Sequence, residues 1–294
     1  MTFGQILTAM VTPFDEQGEI DYPATEHLIN YLLANGTDGL IVSGTTGESP
    51  TLSEQEKVAL FKFAVEVVNG RAPVIAGTGS NNTRESIELT KLAENTGVDG
   101  IMLVAPYYNN PSQEGLYQHF KTISEATTLP VMLYNVPGRS VVNIAVDTVI
   151  RLSKVQNIVS IKEANGNLDT MTEIINNTPE DFSLYSGDDS LTLPVLAIGG
   201  VGVISVSSHI IGNEMQEMIA HFNSGNLKEA AKVHGSLLPI IKSLFAAPSP
   251  SPVKAALNLN GIPVGGVRLP MIPLNEEDLD TLKKALHTRE VSID

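Results

Sequence analysis

The chain has no cysteine among its 294 residues. Disulfides, thiol nucleophiles, iron–sulfur clusters and thiolate zinc sites are therefore excluded together. Histidine does not fill the gap. His27, His119, His209, His221, His234 and His287 form no HxxxH pair and no HExxH, so no catalytic metal is expected. A P-loop is also missing. Gly77-Thr78-Gly79 begins a GxG pattern, but Asn82 stands where a third glycine would be needed for a dinucleotide fingerprint. Positive charge is scarce: 18 Lys and Arg against 33 Asp and Glu leave a formal net charge of −15. Such a field repels phosphate backbones, and no basic cluster opposes it, so nucleic acid is not an expected partner.

The N-terminus has no basic segment leading into an apolar core, so no signal peptide is expected and the protein reads as cytoplasmic. From Ser190 to Asn213 the chain lacks Asp, Glu, Lys and Arg, but Pro194, Gly199, Gly200 and Gly202 interrupt it. A buried helix running into a buried strand fits that composition better than a membrane span.

What is present is a rhythm of short apolar runs, each closed by a turn residue and followed by a helical pattern. Strands are expected near Ile6–Ala9, Leu40–Ser43, Val74–Ala76, Ile101–Val104, Val131–Tyr134, Val159–Lys162, Ser183–Ser186 and Val203–Ser205. Between them, apolar residues recur at helical spacing, as in Val58, Phe61, Val65 and Val68, and Ser53 with Glu56 forms a capping box. Eight strand–helix units imply a parallel sheet. The count of eight, with no nucleotide fingerprint after the first strand, favours closure into a (β/α)8 TIM barrel over an open sheet. A faint repeat supports it: Asn35-Gly36-Thr37-Asp38-Gly39-Leu40-Ile41 resembles Thr96-Gly97-Val98-Asp99-Gly100-Ile101-Met102. After residue 225 only helical patterns follow, at Leu227–Phe245, Pro252–Leu259 and Glu276–Leu286. The expected organisation is a barrel over residues 1–225 and a small three-helix appendage over residues 226–294.

Active sites of such barrels lie at the C-terminal ends of the strands, and three of those ends carry chemistry. After the second strand, Gly44-Thr45-Thr46-Gly47-Glu48 combines two glycines with two hydroxyls, which suits a backbone nest for a carboxylate or an ordinary capped loop. After the fifth, Tyr134-Asn135-Val136-Pro137-Gly138-Arg139 offers a phenol and a guanidinium fork. On the sixth, strand alternation places Ser160 and Lys162 on one face, Val159 and Ile161 on the other. Alone, Lys162 reads as a snorkelling lysine or a partner for Glu163. Beside a carboxylate nest, a phenol and an arginine, without metal or thiol, it points to carbonyl chemistry through an imine. That chemistry needs an amine titrating near 7–8 rather than about 10.4, which corresponds to about 4 kcal/mol of preference for the neutral form. Desolvation inside a barrel supplies a shift of that sign.

Together GTTGE, YNVPGR and the strand-end lysine in Ser160-Ile161-Lys162-Glu163-Ala164 resemble the pyruvate-dependent N-acetylneuraminate lyase/dihydrodipicolinate synthase family. Ala105-Pro106-Tyr107-Tyr108-Asn109 with Pro111-Ser112-Gln113-Glu114-Gly115 adds to the likeness, which runs from Thr8–Pro13 to Arg268-Leu269-Pro270. The resemblance implies that Lys162 forms the imine with pyruvate and that Thr45 and Thr46 hold the pyruvate carboxylate. Tyr134 would relay protons through Thr45 and Tyr108, and backbone groups of Gly187 and Ile204 would line the site. Tyr108 would complete the site of a neighbouring subunit, implying a homodimer or homotetramer. Arg139 would bind the carboxylate of L-aspartate 4-semialdehyde, and no cofactor is implied. The implied reaction condenses the two substrates to 4-hydroxy-tetrahydrodipicolinate, a step of diaminopimelate and lysine biosynthesis. Sialic-acid and keto-deoxy-sugar-acid lyases of the family typically lack this arginine. They remain the alternative, as does a non-catalytic relative that binds a keto acid or amino acid. Ser49, Asn81, Glu85 and Tyr107 match the family's lysine feedback site. Glu54 and Lys57, however, stand where sensitive members commonly carry histidine, so weak or absent feedback is expected.

Overall fold

The computed structural model describes residues 3–291. Eight parallel strands pair in chain order and close on themselves, β1 against β8. They are β1 (Ile6–Ala9), β2 (Gly39–Val42), β3 (Val74–Gly77), β4 (Gly100–Val104), β5 (Val131–Asn135), β6 (Ile158–Glu163), β7 (Ser183–Ser186) and β8 (Gly202–Ser205). The alternating helices are α1 (Tyr22–Ala34), α2 (Glu54–Val68), α3 (Thr83–Glu94), α4 (Gln113–Ser124), the short α5 (Pro137–Ser140), α6 (Val146–Leu152), α7 (Leu168–Asn177), α8 (Thr192–Ala197) and α9 (Ser208–Asn223). This is the (β/α)8 barrel that the apolar rhythm predicts. Both faces of every strand are covered, which is why the strands read as unbroken apolar runs.

Two packed layers result. Leu7, Ile41, Ile75, Met102, Met132, Tyr185 and Ile204 fill the barrel interior. Ile6, Leu40, Val42, Val74, Ile101, Leu103, Leu133, Ile161 and Val203 face the helices. The capping box predicted at Ser53 and Glu56 is formed in both directions. The sequence repeat has a physical basis. Asp38 Oδ2 accepts from the Gln5 and Ile6 backbones at the start of β1, and Asp99 Oδ2 accepts from Val74 at the start of β3. In each case an aspartate just before one strand closes the open N-terminal edge of its neighbour.

Two local expectations are corrected. Ser43 does not continue β2: it turns into the left-handed region at φ 57° and starts the loop. On β6 the alternation breaks. Val131 pairs with Ile158 and Met132 with Ser160, so Val159 is an extra residue at a bulge and packs against the interior cluster while Ile161 faces outward. The strand also runs one residue past Lys162, to Glu163.

Three further helices follow: α10 (Leu227–Leu244), α11 (Ser251–Leu259) and α12 (Glu276–Val291). α10 packs along α9, and α12 packs against α10 and α11. The segment from Ser190 to Asn213 is a buried helix, a strand and the start of α9, as its composition suggests. Among the described residues no helix is long and apolar enough to cross a membrane.

Candidate active site

At the C-terminal rim, β5, β6 and β7 are in register so that Tyr134 lies opposite Lys162, and Lys162 opposite Tyr185. Lys162 is 6% exposed, and its Nζ sits 4.2 Å from the centroid of the Tyr134 ring. Among the described residues it makes no ion pair. Glu163, the obvious partner by sequence, points the other way. Both of its carboxylate oxygens accept from Asn135 Nδ2, at 3.0 and 2.9 Å, and Oε1 also accepts from the Asn165 backbone. Burial pushes the Glu163 carboxyl up to about 7, against the opposing pull of those hydrogen bonds. Asn135 is tied further to Asn143 and to the Ile144 backbone. The residues that follow the phenol and the lysine thus fasten β5 to β6 on the outer face.

An open cleft of about 800 Å³, its solvent-facing mouth included, is lined by Ser43, Gly44, Thr45, Gly77, Gly79, Met102, Val104, Tyr134, Val136 and Arg139. Thr45 is exposed and Thr46 is buried just behind it, with Glu48 N donating to Thr45 O at 3.1 Å to close the turn. Gly77 and Gly79, the first part of the failed nucleotide pattern, have a different use. A Cβ on Gly77 would lie 2.4 Å from Ser43 O, and one on Gly79 2.4 Å from Val104 N. Glycine is required there because the ends of neighbouring strands meet backbone to backbone. Arg139, on α5, is exposed on the cleft wall and forms no ion pair among the described residues.

The remaining expected residues sit differently. Gly187 N donates to Glu163 O at 2.7 Å, and a Cβ there would come within 2.6 Å of Ala164 Cβ. Ile204 is buried in the interior cluster that also holds Tyr134. Thr46, Lys162, Gly187 and Ile204 do not form the cleft's wall. Lys162 meets it through the Tyr134 ring. No hydrogen bond joins Tyr134 to Thr45 or Tyr108 among the described residues. Tyr108 is 94% exposed with φ 73°, turned away from the cleft of its own chain. Ser49, Lys57, Ser80 and Tyr107 line the same cleft. Lys57 is lowered from the usual lysine range by burial, against the raising effect of Glu54 and Glu85 nearby. Asn81 accepts through its carbonyl from Asn109, and Glu85 accepts from Asn82 Nδ2.

Two features escaped sequence reasoning. Tyr185 closes the barrel floor: its hydroxyl donates to Gly4 O and accepts from Phe3 N, and burial pushes it up to about 12. Glu48 turns away from the cleft to pair with Lys254 of α11 at 2.8 Å. The only local hint was a lysine inside the otherwise apolar helix Ser-Pro-Val-Lys-Ala-Ala-Leu.

A closed barrel with an unpaired lysine and a phenol at its C-terminal rim defines an enzyme of the imine-forming, aldolase-type class. The model of the dihydrodipicolinate synthetase family matches residues 2–289. The 4-hydroxy-tetrahydrodipicolinate synthase 1 of Halalkalibacterium halodurans is 63% identical over 98% of this chain and 97% of its own. The crystal structure of a dihydrodipicolinate synthase from Bacillus anthracis superposes with a TM-score of 0.97 at 61% identity, covering 98% of this chain and 99% of that one. A dihydrodipicolinate synthase from Cyanidioschyzon merolae with lysine bound gives a TM-score of 0.96 at 46% identity, covering 98% and 99%. The chain belongs to the dihydrodipicolinate synthetase family.

Proposed function

We propose that this chain condenses pyruvate with L-aspartate 4-semialdehyde to 4-hydroxy-tetrahydrodipicolinate, the activity named for its relatives, through a Schiff base on Lys162. The observation that carries the residue assignment is the buried, unpaired Lys162 amine held against the Tyr134 ring. The amine adds to the ketone carbon of pyruvate and water leaves, giving the imine. Loss of a methyl proton gives the enamine, whose carbon attacks the aldehyde and forms the new C–C bond. The α-amine of the semialdehyde then displaces Lys162 as the ring closes. Tyr134, whose ring meets Lys162, carries protons at each of these steps. The turn at Thr45 and Thr46 receives the pyruvate carboxylate through backbone N–H groups and hydroxyls. Backbone groups of Gly187 and Ile204 belong to the pyruvate site behind the cleft's wall, and the exposed Tyr108 serves a second copy of the chain in a homodimer or a homotetramer built from it.

Arg139 selects the second substrate. In a coupled assay with both substrates, Arg139→Ala lowers kcat/KM for the semialdehyde on the order of 10²-fold, the scale of one charge-assisted hydrogen-bond pair. Borohydride trapping of the pyruvate imine stays at the parental rate. Equal loss in both assays would make Arg139 structural, and coupling to sugar aldehydes in preference to the semialdehyde would assign the chain to the sugar-acid lyases.

For feedback, the cleft supports weak or no inhibition by lysine. Lys57 stands beside Ser49 and Tyr107 with Glu54 and Glu85 in electrostatic reach. A ligand ammonium entering there meets a resident amine that shares the field of those carboxylates. Free lysine added to the coupled assay leaves the rate unchanged, and clear inhibition at sub-millimolar lysine would refute this.

A further inference from the structure

The C-terminal helices send one charged side chain under the rim of the barrel. We propose that Lys254 and Glu48 are positioning residues for carboxylate binding, a buried ion pair that presets the Thr45–Thr46 turn from the side opposite the cleft. The proposal rests on the reading that this turn receives the pyruvate carboxylate.

Glu48 ends the turn in a left-handed backbone conformation, φ 56° and ψ 34°. A non-glycine residue stays there only when its surroundings hold it. Both carboxylate oxygens are engaged: Oε1 with Lys254 Nζ at 2.8 Å and Oε2 with the Arg268 backbone N–H at 2.9 Å. Lys254 and Glu48 side chains are each 2% exposed. Lys254 Nζ donates also to Gly266 O at 2.5 Å and lies 4.1 Å from the centroid of the Phe14 ring. The Arg268 guanidinium lies 4.4 Å from that same centroid and is held by Glu56, Gly18 O and Thr51 O.

Stability is a weak explanation for this arrangement. A buried ion pair roughly breaks even against apolar side chains of the same volume, because both charges lose their hydration. What the pair supplies is direction. Glu48 N bonds Thr45 O and Ser49 N bonds Gly44 O, so fixing Glu48 fixes the turn one hydrogen bond away from the cleft. On the cleft side the turn is free: Thr45 is exposed, and a Cβ on Gly44 would approach only the side chains of Met102 and Ile41. Among the described residues, none of α10, α11 or α12 lines the cleft. Lys254 is the route by which α11 reaches it.

The pair also titrates. Burial brings Lys254 down to about 8, opposed by Glu48 and reinforced by Arg268, while Phe14 presents only its ring. Lys254 therefore carries its charge below about pH 8 and loses it above.

The test is steady-state kinetics below and above that pH on the full chain, using Lys254→Met, the double variant Glu48→Gln with Lys254→Met, and Thr46→Val. Lys254→Met raises KM for pyruvate about tenfold at the lower pH, with kcat and the semialdehyde KM changed less than about twofold. The parent's pyruvate KM rises across the transition, whereas the variant's stays high and flat. The double variant removes the stranded carboxylate and restores thermal stability. Its pyruvate KM remains raised. If that KM returns to the parental value with stability, or if the parent's rise persists in the variant, the pair is structural and the proposal is overturned. Thr46→Val separates the two layers: no change in pyruvate KM there overturns the carboxylate reading itself, whereas a raised KM with a normal double variant overturns only the anchor.

Discussion

Replacing Lys162 by alanine abolishes borohydride-dependent attachment of pyruvate and lowers the condensation rate by on the order of 10⁴-fold or more, the scale on which removing a covalent nucleophile acts. The prediction is sharper than it looks, because α11 carries a rival. Lys254 is also buried, and burial brings it down to about 8, a value well suited to nucleophilic work near neutrality. A choice made on titration alone would select it. Geometry decides against it. The Lys254 ammonium is held by Glu48 Oε1, the Gly266 carbonyl and the Phe14 ring, so its donors are committed away from the cleft. Lys162 has no such partner among the described residues and meets the phenol that lines the cleft. Mass mapping of the borohydride-reduced protein places the pyruvate adduct on Lys162 and leaves Lys254 unmodified. An adduct on Lys254, or full trapping in Lys162→Ala, would reverse the assignment. Lys162→Arg gives the same loss, since a guanidinium keeps the charge but forms no imine.

Lys162 and Lys254 also mark where the sequence was legible. Strand positions came through within a residue or two, because a strand covered on both faces leaves an unbroken apolar run that no surface constraint dilutes. Lys162 was legible for the same reason: a lysine at the end of such a run has nowhere else to point but the rim. Local motifs with fixed spacing, such as the Ser53–Glu56 box and the Thr45–Glu48 turn, were also readable. Partners far apart in the chain were not. Glu48 and Lys254, Asp38 and the start of β1, and Tyr185 and Gly4 are matched by closure of the barrel, and nothing in either local pattern names the other. The bulge at Val159 was invisible because valine fits either face of a strand equally well. The alternative that paired Lys162 with Glu163 fails because adjacent residues of a strand face opposite ways, and the partner of Glu163, Asn135, lies on the next strand.

Tyr134→Phe is the cleanest removal of a single function from this site, and it is expected to cost about 10²–10⁴-fold in rate, the usual worth of a positioned general acid–base. Three features isolate the hydroxyl. The ring remains, so the contact with Lys162 Nζ at 4.2 Å from the centroid and the packing in the interior cluster are preserved. The hydroxyl has no hydrogen-bond partner among the described residues, so its loss strands no buried group, and stability should move by no more than about 0.5 kcal/mol. The site also gains no charge, because phenylalanine carries none. Each proton transfer in the sequence, at dehydration to the imine, at enamine formation and at protonation of the new alkoxide, then lacks its carrier. Borohydride trapping should therefore slow together with turnover, in contrast to Arg139→Ala, where trapping is spared. Single-turnover trapping beside the coupled assay and a thermal melt reads all three quantities. A rate loss under tenfold with an unchanged melt would reduce Tyr134 to a wall of the cleft and move the proton relay to another group.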